Sequence, residues 1–133
     1  MGAIPTELQL LLAAVAIGLA QLVLATVVGA AAGRDLGWML GPRDTPRPVT
    51  GLAGRLERAF ANFCETFPLF AAALLAAVAA GRTGSLTHTG ALLYIGGRAL
   101  YPFLYVAGVP VLRTLAWALA VAGIVMIAVG VVG

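Results

Sequence analysis

Apolar runs long enough to cross a lipid bilayer dominate this chain, and they leave few alternatives for its fold. A helix needs about 20 consecutive apolar residues to span the hydrocarbon core. Leu8 to Gly33, Pro68 to Gly81, Gly90 to Pro110 and Thr114 to Gly133 supply or nearly supply that length. Four spans therefore fill most of the 133 residues. Hydrophobic residues make up 62% of the chain and charged ones 10%, with a mean hydropathy of +1.04, well outside the usage of soluble domains. A transmembrane barrel would need short strands of alternating apolar and polar residues, and these Ala, Leu, Val and Gly runs do not alternate. The expected fold is all-α, a four-transmembrane-helix bundle forming one domain over 1–133.

Local signals place the predicted helices at about 5–38, 52–81, 87–109 and 110–132. Pro5 and Thr6 suit a first helical turn. The first apolar run ends near Gly33, where Arg34 and Asp35 mark the interface and Trp38 suits the headgroup belt. The stretch Gly41 to Thr50 contains three Pro together with Arg43, Asp44 and Arg47, so it reads as an aqueous loop. Gly81 to Thr87 is a polar turn, and Gly108 to Pro110 breaks the chain before the last span. Met1 to Glu7 carries no Arg or Lys, so the first helix reads as a retained span and not as a cleaved signal peptide.

Eight Arg and no Lys stand against five acids, for a formal charge of +3. That is too small and dispersed for a nucleic-acid footprint. Their distribution orients the chain, because cytoplasmic loops are enriched in basic residues. Arg34, Arg43, Arg47, Arg55, Arg58 and Arg113 fall on one side, whereas the other has Arg82 and His88. The termini are therefore expected on the periplasmic or lumenal side. Cys64, the single cysteine, reads as a small buried apolar residue within a span. His88 reads as a solvated loop residue, and no cluster has metal-site spacing.

Charge inside a membrane helix costs about 2.5 to 3.5 kcal/mol per residue, so such residues face the protein interior and mark function. Here they share faces. At about 100° per residue, Arg58, Asn62 and Glu65 lie within an arc of roughly 60° on the second span, with Arg55 one turn away. Arg98, Tyr101 and Tyr105 repeat the pattern on the third. If the stripes face each other, Arg58 and Arg98 offer donor forks for carboxylates, Glu65 accepts from an ammonium, and Asn62 does either. Pro102 leaves the Arg98 carbonyl without its helical donor, and Pro68 does the same to that of Cys64. This suits an anionic, amino-acid-like ligand; the competing reading is a polar network that only joins helices. Gly96 and Gly97 read as close-packing surfaces.

The motifs RLERAFANFCETFPLF at Arg55 to Phe70, RALYPFLY at Arg98 to Tyr105, and Arg113 beyond them resemble the MAPEG family, the membrane-associated proteins of eicosanoid and glutathione metabolism. The resemblance covers nearly the whole chain, and GPRD at Gly41 to Asp44 looks like the bacterial branch. It implies a homotrimer of four-helix bundles in a bacterial inner membrane, with glutathione as co-substrate held between subunits near the cytoplasmic face. By motif position, Arg55, Arg58, Asn62, Glu65, Arg98, Tyr101 and Tyr105 would bind glutathione, and Arg113 would be the catalytic, thiol-activating residue. A lipophilic small-molecule substrate would arrive through the surrounding membrane lipids. The reaction implied is transfer of glutathione to an electrophile, or peroxide reduction.

Three positions depart from the pattern. Thr66 stands where the conjugating eicosanoid enzymes carry Tyr, and Phe60 where a Gln commonly contacts the tripeptide. Arg113 lies one residue further from the second Tyr than in the leukotriene synthase. The arginine that some members place after the first helix corresponds to Arg34 or Arg43. Two functions are therefore open at the level of sequence: a glutathione-dependent transferase or peroxidase, and a non-catalytic member that binds lipid or stabilises a partner complex. A small multidrug exporter would need a carboxylate deep within the first span, and a b-type haem protein paired intramembrane histidines. Neither pattern is present.

Overall fold

A computed structural model describes residues 4–133; Met1 to Ala3, part of the N-terminal stretch without Arg or Lys, lie outside the described residues. The described residues form four long helices and one short one: α1 (Thr6–Ala31), α2 (Leu36–Leu40), α3 (Gly51–Ala79), α4 (Ser85–Ala107) and α5 (Pro110–Val132). Helices α1, α3 and α5 are long and apolar enough to cross a membrane. The fourth expected span, α4, is 23 residues long but does not reach that apolarity, because Arg98, Pro102, Tyr94, Tyr101 and Tyr105 dilute it. His88, expected in a loop, is half-buried within this helix.

The long helices run alternately up and down. Gly18 of α1 lies against Phe63 of α3, Thr66 of α3 against Tyr94 of α4, and Gly90 of α4 against Gly123 of α5. At the centre, Phe70 stacks on Tyr94 with ring centroids 3.9 Å apart. The Tyr94 hydroxyl meets Thr66 Oγ1 at 3.2 Å, so the buried phenol keeps a partner where water is absent. Ala14, Leu74, Ala77, Ala91, Ala120 and Ile127 complete this core.

Helices α4 and α5 form the most intimate pair, and small residues are the reason. A Cβ on Gly97 would sit 2.5 Å from the Ala116 carbonyl oxygen, and one on Gly90 2.6 Å from that of Gly123. Association between apolar helices in lipid depends on such close backbone approach, since burial from water contributes nothing there. Gly96, expected to pack like Gly97, instead faces open space, with nothing within 4 Å of its Cβ position.

The first helical segment is not continuous to residue 38. It ends at Ala31, turns through Gly33 (φ +114°) and restarts at Leu36. Asp35 is the cause: its carboxylate caps α2 by accepting from the Trp38 N–H at 2.8 Å, a standard helix start. Arg47 donates to Asp35 Oδ2 at 2.7 Å and to the Gly33 carbonyl at 3.1 Å, while the Trp38 indole N–H donates to the Thr45 carbonyl at 2.7 Å. The Pro-rich loop is thus folded back onto α2.

The Arg47 hydrogen bond, aided by the Trp38 N–H, holds the Asp35 carboxyl below its ordinary value of 3.8. A depressed carboxyl contributes order in full above its ordinary value and loses it as pH falls through the lowered one. In a Trp117→Phe protein, Trp38 fluorescence should therefore stay constant from neutral pH to about pH 4 and change below it. With Asp35→Asn added, that acid transition should disappear.

Candidate functional site

The polar residues gather at one end of the bundle, where α1 ends, α3 begins, and the α4–α5 turn lies. Antiparallel packing brings the two stripes together. Arg98 Nη1 donates to Asn62 Oδ1 at 2.9 Å, Asn62 Nδ2 donates to Glu65 Oε2 at 3.2 Å, and Arg58 Nε donates to the Tyr105 hydroxyl at 3.0 Å. The Tyr101 and Tyr105 rings lie 5.7 Å apart. Arg98 packs over Tyr101 at 4.7 Å and over Phe63 at 5.5 Å, so its charge rests on two aromatic faces.

Arg98 is fully buried, yet only one of its guanidinium nitrogens has a partner: Nε and Nη2 have none among the described residues. A buried guanidinium with two unused donors is costly unless an acceptor reaches it.

Arg113 completes the group from the first turn of α5, where Pro110 opens the helix with its fixed φ. Its guanidinium lies 4.5 Å over the Tyr105 ring. Asn62, Tyr101 and Arg113, with Thr114 and Trp117, line a cavity of about 210 Å³. Thr114 and Trp117 were not among the expected site residues, although Trp117 stands one helical turn beyond Arg113 and so shares its face.

Not every expected residue joins. Arg55 turns away, donating to the Val106 carbonyl at 2.7 Å and so capping the C-terminal end of α4, a favourable place for a cation. Cys64, expected to be buried, is exposed on the flank of α3 beside Glu65. Glu65 is itself exposed in the single chain, one turn deeper along α3 than Asn62. Thr66 is buried and committed to Tyr94 and to the Phe63 carbonyl, which places its hydroxyl in the core.

Arg34 and Arg43 flank Trp38, their guanidinium carbons 5.2 Å and 5.4 Å from its ring centroid. Arg34 also pairs with Glu57. Together with Trp38, Glu57 and Phe60 they line a separate cavity of about 210 Å³ on the α1–α3 flank. Both candidates for the arginine after the first helix therefore share one pocket, on a different flank from Arg113.

No curated protein and no solved structure matches the chain. The family model described as "MAPEG family" matches residues 10–133, so it includes every residue of the cluster and of the Trp38 pocket. A membrane bundle whose helices pair through small residues and whose polar stripes meet at one end accords with that match: the chain belongs to the MAPEG family.

Proposed function

We propose that the cluster binds glutathione and that the protein is a glutathione-dependent transferase or peroxidase acting on lipophilic electrophiles. The observation that carries this reading is Arg113 stacked over Tyr105 at the cavity that Asn62 and Tyr101 line. It joins carboxylate-binding groups to a cation placed where a thiol could be held. The residues present fit a tripeptide with two carboxylates and an ammonium. Arg98 has two unused buried donors, Arg58 uses only Nε on Tyr105, and Glu65 is a carboxylate with one oxygen free of Asn62.

Glutathione, when bound, supplies a thiol of pKa about 8.5, mostly protonated at neutral pH. Arg113 would lower that value by favouring the negative charge on sulfur. The partial positive charge of the α5 N-terminus acts in the same direction. Tyr101 and Tyr105 would close on the ligand from the α4 side, and Glu65 would hold its ammonium. Arg55, engaged at Val106, would serve the site by holding the α4 terminus in place.

The assembly in this reading is a homotrimer in a bacterial inner membrane, with α4 crossing beside α5 and the arginine-rich end toward the cytoplasm. Glu65 supports a covering subunit: an exposed carboxylate about four turns into a membrane helix is costly unless protein or ligand meets it. The cavity opens on a helix flank, where a neighbour's α1–α3 face, carrying Arg34 and Arg43, could close it.

Thermal unfolding of the detergent-solubilised protein with millimolar glutathione tests the ligand. Ligand at about 100 times its dissociation constant stabilises by about 2.7 kcal/mol, so the midpoint should rise by several degrees. The rise should be lost in Asn62→Leu. An unchanged midpoint for the parent protein would rule out glutathione as the ligand.

A further inference from the structure

A larger cavity lies elsewhere in the bundle. Between α1, α3 and α4 runs an apolar groove of about 540 Å³, walled by Ile17, Leu24, Leu56, Pro102 and Phe103 among others. It is separate from the arginine cluster. On α4, Ala99, Pro102, Phe103 and Val106 stand roughly a third of a turn around the helix from Arg98, Tyr101 and Tyr105.

Gln21 is the single polar side chain lining this groove. It is 7% exposed, and both its amide nitrogen and its amide oxygen are buried without a partner among the described residues. Gln21 precedes the end of α1 by ten residues, about 15 Å along the axis. At that depth no water is at hand to satisfy an amide. An unpaired amide in apolar surroundings is unfavourable, and an occupant that pairs with it relieves that penalty. Pro102, in the facing wall, lacks the N–H that would pair the Arg98 carbonyl.

The occupant's chemistry follows from these walls. No charged side chain lines the groove, so a carboxylate or ammonium there would be buried without a counter-ion. Along α1 the groove extends from Ile17 to Val28, about 16 Å, the length of an extended hydrocarbon chain. We infer that the groove binds an uncharged lipid carrying a carbonyl or hydroxyl oxygen within its apolar part, with the Gln21 amide turning from its buried position to act as its hydrogen-bonding anchor. The inference is independent of the glutathione reading, because no residue of the cluster takes part.

The test uses the full-length protein in phosphatidylcholine vesicles and a long-chain ketone with a mid-chain carbonyl and a neighbouring diazirine. Photolabelling should be saturable and confined to peptides of α1, α3 and α4. The unlabelled ketone should compete, and the alkane of equal length should not. Gln21→Leu, which removes the unpaired amide while keeping an apolar side chain, should weaken labelling about tenfold and leave the thermal midpoint unchanged or raised. Ala99→Phe should abolish labelling by filling the groove. Equal labelling of the parent and Gln21→Leu would overturn the inference, as would equal competition by the alkane. It would also fail if single cysteines at Leu24 and Phe103 cross-linked between copies, since a second subunit would then cover the groove.

Discussion

Arg113→Ala is expected to lower kcat/KM for conjugation of glutathione to a lipophilic electrophile by about 10² to 10³. That is the usual cost of removing one preorganised group from a charge that develops in the reaction, about 2.7 to 4 kcal/mol. Glutathione affinity should fall only a fewfold, because Arg58, Asn62, Glu65 and Arg98 form their contacts on α3 and α4 without it. The split between rate and binding separates a thiol-activating role from simple adhesion. Arg113→Lys should recover part of the rate, since an ammonium retains the charge but not the planar fork. Arg82→Ala, in the turn at the opposite end of the bundle, should change neither quantity. Equal rates for Arg113→Ala and the parent would remove Arg113 from the chemistry.

The largest effect on stability is expected at Gly97. Its Cβ position lies 2.5 Å from the Ala116 carbonyl oxygen, 3.1 Å from the Ala120 nitrogen and 3.2 Å from Ala120 Cβ. Two of those three are backbone atoms, which cannot swing aside as a flexible side chain would. Gly97→Leu must therefore part α4 from α5, and overpacking of this kind costs about 3 kcal/mol or more. The thermal midpoint in detergent should drop by many degrees, and glutathione stabilisation should vanish with it, because separation of the two helices carries Tyr105 away from Arg113. Gly96→Leu is the matched control. Its Cβ would meet nothing within 4 Å, so the midpoint should stay within a degree or two of the parent.

These two neighbours also show where sequence reasoning stops. Both are glycines on one apolar helix, and composition marks either as a packing surface; only the rotation of α4 against α5 separates them. Periodicity was more informative for the polar stripes. Arg58, Asn62 and Glu65 at i, i+4 and i+7 share a face of α3 whatever the tertiary structure, as do Arg98, Tyr101 and Tyr105 on α4. Their meeting through Asn62 and Tyr105 then requires only antiparallel neighbours joined by a short turn.

Arg55 extends the stripe in sequence but not in space. Its long flexible side chain instead reaches the carbonyl of Val106 near the end of α4, where helical donors run out. The break after Ala31 was hidden because Leu36, Met39 and Leu40 continue the apolar pattern. The signal that could have revealed it is Asp35 directly before that short run, a capping residue three positions ahead of the N–H it accepts. Cys64 read as buried because it lies within a span. Its exposure reflects that the flank of α3 is free in a single chain, which periodicity alone does not reveal.

The central claim is that Arg113 and the α5 N-terminus ionise a thiol held at the cluster. Ultraviolet absorbance of the thiolate measures this directly, with glutathione and purified protein titrated together against pH. Bound glutathione should be half-ionised at least one pH unit below the free thiol value of about 8.5, and the displacement should disappear in Arg113→Ala. A bound thiol that titrates at the free value in the parent protein would contradict the account.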